Sequence, residues 1–287
     1  MAVYERAYRG YSGPVTAEHR RFLILPRYGF SDVFRSRLFA AFFALCFLWP
    51  CCCAFLIYLH HNVSALALLE IARTNLLAID ANFFLWFLRI QGTMLGFLVA
   101  FVVGPGLISP DMRNNALPLY LSRPFSRKEY VAGKMAVLVT LLSAITWVPG
   151  ALLFFLQSYL DGSDWLRSHL RILGGIVLGS WIWILVLSLL ALAVSATVKW
   201  KLLASAALLA IFFVASAAGA AVNVTFRTSL GGLLDLSAMV QTVWAGLFGV
   251  PPPVDVPLAG SVLSLLLVCL LCLLLLARRI RAYEIVR

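Results

Sequence analysis

Six cysteines, the adjacent His60 and His61, and twelve carboxylates are the groups in this 287-residue chain that could hold a metal, pass electrons or move protons. Cys51, Cys52 and Cys53 are consecutive. Neighbouring helical residues point about 100° apart, so these three thiols cannot converge on one ion. Cys269 and Cys272 share a helix face, yet no second pair stands at a zinc-type spacing. With Cys46, all six lie in apolar stretches, where a thiol acts as a small packing group. His60 and His61 close an apolar stretch and read as an ordinary interfacial pair, not as haem or metal ligands. No carboxylate falls in the middle of an apolar run: Glu70, Asp80, Asp161, Asp164, Asp235 and Asp255 fall toward one side, and Glu5, Glu18, Asp32, Asp111, Glu129 and Glu284 toward the other. Proton pumps and ion-coupled carriers generally place ionisable groups inside the membrane, so neither class fits. GxxxxGK[ST], GxSxG and HExxH patterns are absent, as are facing paired carboxylates. We therefore expect no catalytic residue, cofactor or metal in this chain, and expect any energy for uphill movement to come from elsewhere.

The elements that carry these residues are set by hydropathy. Hydrophobic residues make up 62% of the chain and mean hydropathy is +0.95, well above the roughly 45–50% apolar content of a soluble domain. Crossing about 30 Å of hydrocarbon takes roughly 20 helical residues. Six runs meet that length, at about 38–59, 83–108, 134–157, 172–198, 202–224 and 256–277. Arg89 and Lys134 lie within about two turns of a span end, where long side chains can snorkel to the interface. The first 37 residues are polar and basic, without the pattern of a removable signal peptide. No internal repeat is present.

Placing the N-terminus in the cytoplasm puts eighteen of the 23 Lys and Arg on that side, leaving Arg73, Arg89, Arg167, Arg171 and Arg227 outside. The net charge of +11 then reads as topology and contact with anionic lipid, and nucleic-acid binding is the poorer account. The expected fold is an all-α membrane protein of six transmembrane helices with both termini cytoplasmic. Residues 1–37 form the N-terminal segment, 38–277 the membrane domain and 278–287 a basic tail. Gly92 with Gly96, and Gly175 with Gly179, are GxxxG pairs suited to close helix contacts. Pro50 and Pro149 should kink the first and third spans. The apolar stretch at about 225–250 is broken by Gly231, Gly232, Gly246, Gly249 and the prolines at 251–253. We expect it to form short re-entrant helices before the last span, since a crossing there would put the basic tail outside.

The connection between the second and third spans is the most informative stretch. Gly104, Pro105 and Gly106 should loosen or end the second span. Ser109 offers an N-cap with Pro110 at the first helical position, and Asp111 suits the positive end of a short helix that Pro118 would stop. Ser126 and Glu129 form an S-x-x-E capping box that starts the third span, with Arg127 and Lys128 at the membrane surface. Leu117, Leu119 and Tyr120 with Arg113 and Arg123 fit a docking surface.

The run ISPDMRNNALPLYLSRPFSRKEYVAGK, with Ser122, Arg123, Pro124, Ser126, Arg127, Gly133 and Lys134, resembles the cytoplasmic signature of ABC-2 type ATP-binding cassette permeases. The resemblance implies a coupling helix docking on a separate ATPase subunit, carried here by Pro110, Asp111, Met112, Arg113, Asn114, Asn115, Ala116 and Leu117, with Arg123, Ser126, Arg127 and Glu129 leading into the third span. It likens 30–37, with Phe30, Asp32, Phe34, Arg35 and Arg37, to the interfacial helix before the first span. It further implies a second permease subunit, a homodimer in the simplest case, with ATP and Mg bound by the partner ATPase, and a place in the cell inner membrane. The alternative from another class is a membrane anchor or assembly subunit of a redox enzyme, which would need His or Cys ligands facing a bundle interior.

Overall fold

The computed structural model describes residues 23–62, 78–116, 120 and 126–280, and all regular structure among them is helical. Leu117, Pro118, Leu119, Arg123 and Pro124 lie outside the described residues, as does most of the N-terminal segment and the basic tail. Among the described residues, six helices are long and apolar enough to cross a membrane: Arg37–His61, Ala81–Arg113, Arg127–Asp161, Leu170–Thr197, Lys201–Phe226 and Leu258–Arg279. The shortest has 22 residues, about 33 Å of helix, which is enough for the hydrocarbon core. In chain order the elements are α1 (Ile24–Phe34), α2 (Arg37–Leu45), α3 (Leu48–His61), α4 (Ala81–Leu88), a π-helical stretch Arg89–Gly96, α5 (Phe97–Val103) and α6 (Pro105–Arg113). They continue with α7 (Arg127–Ile145), α8 (Trp147–Asp161), α9 (Ser163–Ser168), α10 (Leu170–Thr197), α11 (Lys201–Phe226), a 3-10 turn Leu230–Leu233, α12 (Leu236–Phe248) and α13 (Leu258–Arg279).

The fourth span, α10, is the axis. Of its most apolar window 72% is buried, against 22% for the first span and 17% for the fifth and sixth, so those three sit at the periphery with apolar faces turned outward. Both expected kinks are present. The first span breaks between Leu45 and Leu48, because Pro50 has no N–H for the carbonyl of Cys46 four residues back. Gln91 of the π-helical stretch donates from Nε2 to that carbonyl at 2.9 Å. The third span breaks at Thr146, three residues before Pro149, and Thr146 Oγ1 donates to the Leu142 carbonyl at 2.7 Å. At the far end His61 Nε2 lies 3.8 Å from Asp161, tying the first span to the third. Cys46, Cys53 and Cys272 are buried in the apolar core, and Cys51 and Cys52 face outward.

Between the fifth and sixth spans the chain turns back along the bundle. Asn223 Oδ1 accepts from the Gly231 N–H at 2.7 Å, and the Gly231 backbone lies so close to Gly219 that a Cβ there would stand 2.4 Å from the Gly231 carbonyl oxygen. Ser216 then donates to Asp235 Oδ2 at 2.7 Å, while Asp235 Oδ1 accepts from the N–H groups of Ser237 and Ala238 and caps α12. The sequence puts Asp235 on the outer side, in the stretch expected to be re-entrant. The paired glycines let the backbones touch and carry it level with Ser216, ten residues and about 15 Å from Phe226 at the end of α11. From there α12 returns beside α10: Phe248 covers Gly175, and Arg171 donates from Nε and Nη2 to the carbonyls of Leu247 and Gly246 at the helix end, each at 2.9 Å.

The GxxxG glycines are filled from within this chain. Trp244 Nε1 donates to the Gly179 carbonyl at 2.8 Å and Trp183 Nε1 to the Gly92 carbonyl at 2.7 Å. A Cβ on Gly179 would lie 2.9 Å from Trp244 Cδ1, whereas a Cβ on Gly174 meets nothing within 4 Å. Gly179→Ala should therefore destabilise the purified protein by about 1–3 kcal/mol through overpacking, with Gly174→Ala close to neutral. Thermal unfolding followed by size exclusion checks this, and equal midpoints for the two variants would contradict the assigned contact.

Candidate functional site

The candidate site is the corner where the second span ends and the third begins. Gly104 sits at the joint, with room for no side chain: a Cβ would lie 2.6 Å from Ala191 Cβ of α10. Pro105 follows at the first turn of α6, where a missing N–H costs nothing. This corrects the expected cap. The helix starts at Pro105 rather than at Ser109, Pro110 lies inside it, and Ser109 is buried. Ser195 of α10 explains why. Its Oγ accepts from the N–H groups of Ile108 at 3.1 Å and Ser109 at 2.9 Å and donates to the Pro105 carbonyl at 2.9 Å, so it stands inside the helical ladder. Ser109 Oγ in turn lies 2.6 Å from the Val198 carbonyl and 3.0 Å from that of Ser195. A hydroxyl engaged in this way is not a helix cap.

The expected two-turn helix over Pro110–Leu117 is also shorter. Its helical part is the last turn of α6, ending at Arg113. Asn114 is the C-cap, Asn115 takes the left-handed conformation at φ 51°, which Asn tolerates, and Ala116 N–H closes the turn on the Asp111 carbonyl at 2.9 Å. Asp111 thus lies near the negative end of its helix, not the positive one. Its partners come from the third span: Lys134 Nζ at 2.8 Å and Tyr130 Oη, which donates to Oδ2 at 2.7 Å. Burial, and after it the Asp111 carboxylate, raise the Tyr120 phenol above its ordinary value, so it remains a neutral donor beside Tyr130. Arg113 places its guanidinium 5.6 Å from the centre of the Trp200 ring, just before α11. Met112 packs against the core, while Arg113, Asn114 and Asn115 are exposed.

The flanking elements follow the sequence more closely. Ser126 and Glu129 make the full capping box, with Ser126 N–H donating to Glu129 Oε2 at 2.7 Å and Glu129 N–H to Ser126 Oγ at 3.2 Å. Arg127 and Lys128 are exposed beside it. The N-terminal helix begins earlier than the 30–37 stretch expected. Phe30, Asp32 and Phe34 occupy the second half of α1, Arg35 is its C-cap, and Arg37 already opens the first span behind the Ser36 cap. Close packing sets this position: Gly29 of α1 lies against Val137 of α7, where a Cβ would come within 2.7 Å of Cγ2. Phe34 meets Phe39 and Phe43 edge-on. A cavity of about 730 Å³ separates α1 from the second span and is reached by Asp32, Tyr28, Lys134 and Lys201.

The corner is therefore a short exposed tip whose base is bonded to the third and fourth spans. A family model for ABC-2 family transporter protein matches residues 72–250, more than half of the chain. The chain belongs to the ABC-2 transporter family. No curated protein matches it. Membership makes this a membrane permease of an ABC transporter, a non-catalytic transmembrane component, and decides against the redox-anchor alternative. The match spans this ABC-2 permease from before its second span to the end of α12 and includes the whole corner.

Sequence reading missed the Ser109–Ser195 link and the Asp111–Lys134 pair, although a lysine seven residues inside a span was itself a sign that a counter-charge was needed. Both side chains of the pair are largely shielded. Asp111→Ala or Lys134→Ala should each destabilise the permease by about 2–3 kcal/mol, because each leaves a shielded charge unpaired. The double variant should cost less than the two losses together, by about 1–2 kcal/mol of coupling. Unfolding midpoints of the four proteins complete this cycle, and strict additivity would show that the pair carries no coupling.

Proposed function

We propose that this permease pairs with a second copy of itself, forms the substrate pathway between the two, and exports its substrate using ATP hydrolysed by two separate ATPase subunits, which hold the ATP and Mg. In this reading the tip at 110–117, with Arg113, Asn114 and Asn115 exposed, docks on the ATPase in the cytoplasm of a cell whose inner membrane holds the six spans. The observation that carries it is the base of that tip: Asp111 bonds to the third span and Ser195 bonds α6 to the fourth. A push on the tip then displaces two spans with the second. Apolar faces on the first, fifth and sixth spans leave surface for lipid and for the second copy. The positive-inside distribution of Lys and Arg supports the orientation, and the depth reached by Asp235 supports a re-entrant α12.

Docking depends on a small surface on which one anchor can contribute about 2 kcal/mol or more. Arg113→Glu should leave the membrane level unchanged while weakening ATPase association at least about tenfold and abolishing transport; Leu117→Asp should do the same. Co-purification of the ATPase and substrate movement are measured together, and normal values for both variants would show that another loop couples. Orientation has its own check in a background without the six native cysteines. Arg113→Cys should react with a membrane-impermeant maleimide only after the cell is opened, whereas Val254→Cys should react in intact cells. The reverse pattern would invert the topology.

A further inference from the structure

At the end of the bundle away from the corner between the second and third spans, the second span carries a cation that nothing described so far uses. Arg89 lies eight residues beyond Ala81, about 12 Å along the helix, at the first position of the π-helical stretch. Its Nε is buried without a hydrogen-bond partner, and among the described residues it forms no ion pair. An arginine at such depth is costly in lipid, and π-helical turns recur at functional sites. The guanidinium borders a cavity of about 620 Å³ that Asp80, Asn82, Phe83, Leu85 and Trp86 also line. Asp80, an anion on the same cavity, forms no ion pair with it, its oxygens being engaged elsewhere: Oδ1 accepts from the N–H groups of Asn82 and Phe83, and Oδ2 accepts from Asn82 Nδ2. The cavity therefore presents one unpaired planar fork of donors beside aromatic and aliphatic walls.

We propose that this cavity is an oxyanion site that takes the phosphate group of an amphiphile, with Arg89 on the phosphate and Phe83, Leu85 and Trp86 against the apolar part. Guanidinium matches phosphate geometry with two parallel hydrogen bonds, and phosphate is the anion a bilayer itself supplies. Snorkelling to water would satisfy the charge but does not account for a buried, unpartnered Nε. The inference uses only the placement of the second span in a bilayer and is independent of ATPase docking.

The test uses the purified full chain in dodecyl maltoside, titrated with dioctanoyl phosphatidylglycerol, with dioctanoylglycerol and with inorganic phosphate, and read as saturable thermal stabilisation. The phosphatidylglycerol should stabilise wild type, dioctanoylglycerol should not, and inorganic phosphate should act only at much higher concentration. Arg89→Gln should weaken the phospholipid response at least tenfold, and Arg89→Lys should retain part of it. Trp86→Ala should weaken the phospholipid response while sparing that to inorganic phosphate, which keeps the test decisive if Arg89→Gln does not fold. Equal responses in wild type and the Arg89 variants, or a dioctanoylglycerol response equal to that of the phospholipid, would overturn the site. Inorganic phosphate acting as strongly as the phospholipid would overturn the amphiphile assignment.

Discussion

Lipid offers no hydrogen-bond donors or acceptors to a broken helix, and every span of this permease is built around that constraint. Prolines, a π-helical stretch and a reversed hairpin all disturb the helical ladder. At several of them a polar side chain stands against the exposed backbone: Gln91 at the Cys46 carbonyl, Trp183 at Gly92, Ser195 between Pro105 and Ser109. Most of these groups come from a different span. The defects therefore act as joints between helices, because each carbonyl that leaves its own helix becomes the anchor of another.

The corner between the second and third spans shows what such joints do mechanically. A helix that merely emerged from the membrane could bend at Gly104 without moving its neighbours. Here Gly104 instead lets α6 press against Ala191, and the Ser195 hydroxyl occupies the ladder just past the joint. Bending at this place would break bonds to the fourth span, which is also the most buried of the six. The exposed residues at the tip are few, and the residues that fix the tip are many and interior.

Much of this was legible in the sequence where the signal is local. The sixth run, read at 256–277, is the helix Leu258–Arg279, and the Ser126–Glu129 box is present because both partners lie within one turn. The starts of α6 and α1 were not legible, for a common reason. Gly104-Pro105 and Ser109-Pro110 are equally good openings by composition, and the choice rests on Ser195, 86 residues away from Ser109. Likewise the GxxxG glycines announced a close contact but not its partner, since the indole that fills Gly179 arrives from α12. How far Asp235 reaches along the bundle was not legible either, because it depends on the Gly219–Gly231 contact and on no local signal.

The way α12 is held also has a bearing on biogenesis. Its first turn is capped by an aspartate bound to α11, its last carbonyls are bound by Arg171 at the start of α10, and its Trp244 fills a slot between the second and fourth spans. Every one of those partners precedes it in the chain. As the protein is made, the first five spans must wait with that slot unfilled, and α12 closes it like a keystone before the sixth span is laid against it.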